Sequence, residues 1–441
     1  MKKICLWIIV GLFFAGPLQA KKIYITIDDA KLRKSLVTVF PFKSIGDTHE
    51  GFKQASIVQD TVLSNLAFTG IFDFIDPKDK SPFESKGYNL GDIDFKEWAK
   101  LGTEFLVKGG YKTLDKNFHL DVRVYDIKSA KLVFGKEYIA AIQDAKVLAH
   151  EFSDDIMENL TGQKGIFRTK VLFVSDKTRH KELYVMDFDG SNIQQLTKHE
   201  SILSAPAWAP FGTHVTYSRY ATHKKNIKNL DLFMLELSSG KEISLSTHTG
   251  LNTGAKWSPD GTQLAATLSL HGNPEIYLID RRGKILHRIT QHGAIDVEPC
   301  FSPDGKKLVF SSGRAPYAHL YLLEDLSSSE ATRLTFAGRY NSSPAWSPDG
   351  NQIAFSAQLE GHFDLFSVQP NGRGLRRLTK SERGKNNEYP SWSPDGRHLV
   401  YTSNESGTYD LYMMNADGSA VHKILSNYGN ITYPAWSPYL K

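Results

Sequence analysis

The segment HEFSD, residues 150–154, falls one residue short of a zinc-hydrolase helix motif. In that motif two histidines four positions apart share the metal and a glutamate serves as base. Here Asp154 takes the place of the second histidine, so no zinc site is expected. The stretch TGLNTGAK, residues 249–256, lacks both the glycine spacing and the following Ser or Thr of a phosphate loop. No Gly-x-Ser-x-Gly elbow occurs that could raise a serine nucleophile. Twelve of the fifteen histidines lie beyond residue 164, scattered over different repeats, where they read as solvated or capping groups. These patterns lead us to expect neither catalysis, nor a metal, nor a cofactor.

What must position any functional residue is read next. The aromatics of WAPFG (Trp208), WSPDG (Trp257), FSPDG (Phe301), WSPDG (Trp346), WSPDG (Trp392) and WSPY (Trp436) recur at steps of 49, 44, 45, 46 and 44 residues. A period near 45 residues marks an internal repeat, and four β-rich runs per unit fit one blade of a β-propeller. Ser-Pro-Asp-Gly suits a type I turn, with Pro setting φ at the second position. The aromatic before it is expected to pack against the next blade rather than to stack a ligand. Six copies of the third and fourth runs predict six blades. The chain enters at KVLFVSD (170–176), the second strand of a blade, and ends at PAWSPYL, which supplies only a first strand. Pairing of these two ends is expected to close the ring and remove its exposed edges.

The segment ahead of the repeats is mixed α/β. KIYITID, SLVTVFPF, IFDFID and TEFLVKGGYK read as strands, and NFHLDVRVYD with AKLVFGKEYIA as a hairpin. A helix is expected where Ile57, Val58, Val62, Leu63 and Leu66 share a face before Gly70. DFKEWAKLG reads as a short helix. A further helix carries Leu148, Phe152, Ile156 and Leu160 and stops at Gly162. The expected fold class is therefore multidomain: residues 1–20 a secretory signal, 21–163 a mixed α/β domain, and 164–441 a six-bladed propeller.

MKK followed by ICLWIIVGLFFAG and PLQA has the charged, apolar and small-residue order of a signal peptide. Its apolar run of about 13 residues is short of the roughly 20 that a membrane span needs. Cleavage after Ala20 removes Lys2 and Lys3, taking the formal charge from +5 to +3. So small a surplus excludes nucleic acid and anionic membrane as evident partners. Cleavage also removes Cys5, which leaves Cys300 alone, with no internal disulfide available. Cys300 sits where other repeats place alanine and reads as a small buried residue. An exported, soluble monomer is expected.

Propellers offer a ring of loops around a channel. The loops entering the inner strands carry Asp296, Glu298, Asn341, Asn387, Glu388, Tyr389 and Tyr433. Polar groups interleaved with tyrosine suit recognition of a protein surface or peptide. The other class is an exported propeller enzyme or a carbohydrate binder. An enzyme needs converging acids, a metal set or a nucleophile; a sugar binder needs tryptophan in the mouth, whereas the five repeat tryptophans hold the structural position.

NLTGQKGIFRTKVLFVS at the domain junction, the terminal PAWSPYL and the six WSPDG-type blades behind a small α/β domain resemble the TolB family, over essentially the whole mature chain. The resemblance implies a non-catalytic periplasmic adaptor of the Tol–Pal system, supporting outer-membrane integrity and envelope constriction during cell division. It implies that the propeller mouth binds the peptidoglycan-associated lipoprotein Pal and that the extreme N-terminus binds the C-terminal domain of TolA. Further envelope lipoproteins and porins stand as additional partners. By the family's loops, Leu251, Gly254 and Val297 fall where Pal contact is implied; Asn252 is counted with the same loop, and Glu298, Asn341 and Glu388 join them from position alone. Lys22, Ile23, Tyr24, Ile25, Thr26 and Ile27 form the implied TolA strand, whose β-branched and aromatic residues suit addition to a partner's sheet edge.

Overall fold

The computed structural model describes residues 34–45, 51–75 and 87–440. The signal segment and the strand Lys22–Ile27 lie outside the described residues. Contacts divide the chain into two compact units, Met1–Lys164 and Gly165–Lys441.

In the first unit β1 (Ser35–Val39), β2 (Lys43–Ser44), α1 (Phe52–Phe68), β3 (Phe72–Phe74), α2 (Phe95–Lys100), β4 (Phe105–Leu114), β5 (Asn117–Asp126), β6 (Lys131–Ala141) and α3 (Ala145–Thr161) follow in order. The sheet runs β3-β1-β4-β5-β6, parallel at β1 and antiparallel through the β4-β5-β6 meander. Helix α1 buries Ala55, Val58, Val62 and Leu66. The expected Ile57 and Leu63 are only half-buried, because the covered stripe follows the 3.6 period from Ala55. Leu148, Phe152, Ile156 and Leu160 of α3 are buried as the periodicity predicts, and Gly162 caps the helix in the left-handed region, φ 73°. His150 and Asp154 belong to this packed interface. Asn65 of α1 lies 3.0 Å from the His150 ring and donates to Ser153 at 2.9 Å, a use of polar groups to lock two helices rather than to hold a metal.

The second unit is a six-bladed propeller, each blade a four-stranded meander. Inner strands are Leu203–Trp208, Asn252–Trp257, Asp296–Phe301, Arg339–Trp346, Asn387–Trp392 and Ile431–Trp436. The last of these pairs antiparallel with Lys170–Ser175, Trp436 opposite Val171, so the two ends of the repeat region close the ring as expected. In the WSPDG turns the serine does more than start a turn. Ser258 Oγ donates to Asp260 at 2.5 Å, accepts the Gln263 N–H at 3.1 Å and is itself buried, while Gly261 N–H closes the turn on Ser258 O. The tryptophans pack on the preceding blade, not the next. Trp208 Nε1 donates to Ala435 O and Trp392 Nε1 to Ala345 O, each at 2.9 Å.

A second blade signature explains the recurrent Leu-Thr of the fourth strand. Thr197, Thr290 and Thr379 each accept a backbone N–H from the third strand at 2.9 Å and donate to a buried acid at its start: Glu182, Glu275 and Asp364. Such charges survive burial only because they are fully hydrogen-bonded. Apolar clusters fill the gaps between neighbouring sheets, for example Leu172, Leu183, Trp208, Tyr217 and Phe233. Burying each such side chain is worth about 1.5–3 kcal/mol. Among the described residues no helix is long and apolar enough to cross a membrane.

Candidate partner-binding site

Every inner strand carries a bulge at the same place, between the third and sixth residues before the turn proline. The bulged residues are Ala205, Gly254, Glu298, Ser343, Tyr389 and Tyr433, with φ from 50° to 62°. Five of these six are not glycine, and a left-handed conformation costs such residues about 1–3 kcal/mol each. Proline follows in five blades: Pro206, Pro299, Pro344, Pro390 and Pro434. Proline has no N–H to lose from the ladder, and an inner strand, paired on one side only and bulged here, accepts it. The outcome is directional. Each bulge re-aims its side chain out of the sheet and into the central channel.

The six bulged residues and four of the prolines, Pro206, Pro344, Pro390 and Pro434, with Lys256, Cys300, Trp346 and Trp392 among the other lining groups, surround a cavity of about 260 Å³. Its wall is uneven. Ala205 and Gly254 leave one side open, while on the other Tyr389 and Tyr433 pack with ring centroids 4.2 Å apart. Gly254 has φ 62°, and a Cβ there would sit 3.5 Å from Thr267 Oγ1: space is available, but the backbone is the one glycine tolerates best.

Burial pushes the Glu298 carboxyl up, against a hydrogen bond at 2.6 Å from the Ser343 N–H and the attraction of Lys256; Glu388 pushes it further up. Burial likewise raises Glu388, whose carboxylate accepts the Tyr409 hydroxyl at 2.8 Å. Burial lowers the Lys256 ammonium and raises the Cys300 thiol and the hydroxyls of Tyr389 and Tyr433. Tyr409, half-buried and bonded to Glu388, is pushed up to about 12. A raised thiol is a poor nucleophile. The channel therefore presents a mostly apolar wall of prolines and tryptophans, set with two tyrosines and the Glu298 carboxyl, a surface suited to contact.

Sequence reasoning picked eleven residues here, and the structure sorts them. Gly254, Glu298, Tyr389 and Tyr433 line the channel. Leu251 is exposed at the mouth, and Val297 and Glu388 are half-buried. Asn252, Asp296, Asn341 and Asn387 face inward instead and are buried. Asn252 ties down Leu230 O, His248 O and Gly250 O; Asp296 accepts Arg314 at 2.7 Å; Asn387 bonds Ser381 and Asp364; Asn341 donates to Ala337 O. They staple the mouth loops, and a partner cannot reach their side chains. This corrects their reading as contact residues: strand alternation turns them from the channel, and only the bulge turns the next position but one into it. Cys300 is also corrected, being a half-buried channel residue rather than a core one. Ala205, Ser343 and Lys256 were missed, although a proline three positions before the first residue of the turn was a visible signal in five blades.

Family comparison decides the lineage. The TolB beta propeller domain family matches residues 157–440, and the TolB amino-terminal domain family matches residues 23–133. The chain belongs to the TolB family. A TolB homolog of Chlorobium chlorochromatii is 38% identical over 257 residues, which is 57% of this chain and 56% of that protein. One from Chlorobium luteolum is 34% identical, covering 71% of this chain and 70% of the relative. The Tol-Pal system protein TolB of Desulfosudis oleivorans is 33% identical, over 63% of this chain and 62% of its own length. The chain thus matches little more than half the length of some of these relatives. The crystal structure of TolB from Acinetobacter baumannii superposes with a TM-score of 0.76 at 25% identity, covering 92% of this chain and 97% of that one.

Proposed function

We propose that this chain is a non-catalytic, monomeric adaptor of a Tol–Pal envelope system in the periplasm, with residues 1–20 as removable signal, 21–163 as the α/β domain and 164–441 as the propeller. The propeller mouth and channel take Pal, and residues 22–27 take the C-terminal domain of TolA. Through these two contacts the protein supports outer-membrane integrity and constriction at division. The observation that carries the reading is the channel: six bulged positions present a tyrosine pair and the Glu298 carboxyl around about 260 Å³. Clustered aromatics in a preformed concavity are the usual composition of a protein-binding hot spot. The relative from Desulfosudis oleivorans, named as a Tol-Pal system protein, supports the same assignment. For the TolA contact the support is the β-branched pattern of residues 22–27 together with the family resemblance.

The test is a pull-down from envelope extract of the source organism, with residues 21–441, residues 34–441 and full-length Y389A/Y433A as baits. A peptidoglycan-binding lipoprotein should be captured by the first two and lost from the third; a TolA-like protein should be captured only by the first. Capture of neither by the longest bait would overturn the reading and return the exported-enzyme or carbohydrate-binding alternative.

A further inference from the structure

Within a blade the strands alternate in direction, so the loops joining second to third strands and fourth to next first strands all gather at the mouth. Six mouth loops are consecutive around half the ring: residues 176–181, 196–202, 223–227, 247–251, 269–274 and 289–295. Each carries one histidine: His180, His199, His223, His248, His271 and His292. The remaining six mouth loops (313–318, 334–338, 360–361, 378–386, 404–409 and 426–430) carry none, and neither does any loop on the opposite face. A half-ring this regular is invisible along the chain, where these histidines are simply 19 to 25 residues apart.

The same six loops hold Lys177, Arg179, Lys181, Lys198, Lys224 and Lys225 against only Asp176 and Glu200. The other half holds four cations against three carboxylates. At each blade junction of the basic half the histidine is followed three residues later by an exposed aliphatic: Ile202, Leu251 and Ile295. Histidine and exposed aliphatic thus repeat with the blade spacing along the rim, while the six lysines and arginines gather in its first three loops. A bilayer is flat and meets only loop tips, whereas an extended polypeptide can follow such an arc.

The histidines face different neighbours. His199 lies 3.0 Å from Glu242, which also holds Arg219, and 3.2 Å from Tyr217. His223 lies 2.7 Å from Asp231, beside Asn229. His292 Nδ1 accepts the Ala294 N–H. His180, His248 and His271 are exposed, and among the described residues no carboxylate lies within 4.0 Å of them. The charges nearest in sequence are Asp176, Lys177, Arg179 and Lys181 for His180, Lys241, Glu242 and Lys256 for His248, and Glu275 for His271. Imidazoles as a class gain charge between about pH 8 and pH 5, so acidification adds cations to an arc that is already basic.

We propose that the histidine half of the mouth is a docking surface for an acidic polypeptide bearing apolar side chains among its carboxylates, and that docking tightens on acidification. The proposal rests on the mouth being the partner-binding face, and it adds the partner's chemistry and its pH dependence.

Fluorescence anisotropy on residues 21–441, with a labelled oligopeptide of glutamate and leucine as probe, tests it at about pH 7.5 and 5.5. Affinity should rise about tenfold or more at the lower pH, since several charges are added to one interface. It should be weakened by added salt, be absent for a lysine–leucine probe, and in H180Q/H248Q/H271Q lose most of its pH dependence while keeping the wild-type melting temperature. No binding of the acidic probe, an unchanged pH dependence in the triple variant, or binding only to phosphatidylglycerol vesicles would overturn it. The soluble domain of Pal, titrated in parallel, separates the two readings: Pal binding without probe binding leaves the mouth as partner face and removes this surface, whereas loss of both removes both.

Discussion

Glu298 shows how a fold can hold a carboxyl in a channel against the cost of burying it. Its carboxyl is raised mainly by burial, so the folded chain holds that proton more tightly than the unfolded chain does. Its contribution to stability is therefore complete below the pKa of an unfolded glutamate and is lost as pH rises through the raised folded value. Glu298→Gln keeps an acceptor for the Ser343 N–H without the buried charge. It should stabilise the propeller by about 1 kcal/mol at pH 7 and by nothing near pH 4, as read by calorimetry at both pH values. A lower melting temperature at pH 7 would mean that the Lys256 attraction outweighs burial. Asp364 is the opposite case. Burial works against its charge, but hydrogen bonds from Arg377, Thr379, Ser381 and Asn387 overcome it and hold the carboxyl below the usual range. Its contribution is present above the pKa of an unfolded aspartate and is lost as pH falls through the depressed value. Asp364→Ala, which strands Arg377 half-buried, should cost about 3–5 kcal/mol in urea unfolding at pH 7.

The bulged inner strand is the element that makes a channel out of a sheet. If the left-handed residues are strained, relieving one should pay back. Ser343→Gly should raise stability by about 1 kcal/mol, and Gly254→Val should lower it by about 2 kcal/mol, both measured by chemical denaturation. Equal effects at the two positions would show that side-chain contacts, not φ, decide them. The bulge also sets which neighbours reach the channel: Glu298 enters it, while Asp296, two residues earlier, is turned into the loop to meet Arg314.

At the scale of the whole molecule, the ring is closed by a single strand pair. Among the described residues, Ile431–Trp436 on Lys170–Ser175 is the only ladder joining the end of the repeat region to its beginning. Deleting residues 427–441 would leave Lys170–Ser175 as an open edge beside an uncovered core, and open edges invite pairing with other chains. The truncated chain should elute as soluble aggregate by size-exclusion chromatography and lose its cooperative melt. A monomeric, cooperatively melting product would show that five blades are self-sufficient.

Repeat count, blade boundaries, the closing strand and the α/β segment were legible in the sequence, because they follow from local rules: turn chemistry at Ser-Pro-Asp-Gly, alternation in strands, a 3.6 period in Leu148, Phe152, Ile156 and Leu160. These need only neighbours in the chain. The candidate site was half legible. Tyr389 and Tyr433 were found from their loops, but Asn252, Asp296, Asn341 and Asn387 were taken for contact residues although they face inward, since a plain strand alternates strictly and the bulge breaks that alternation by one residue. The histidine half-ring could not be read at all. Its members are 19 to 25 residues apart, and only the alternation of strand direction within blades, followed by closure of the ring, brings every second loop to one face. Residue type and turn geometry are properties of the chain; which side chains share a surface is decided by the direction in which each strand runs once the ring has closed.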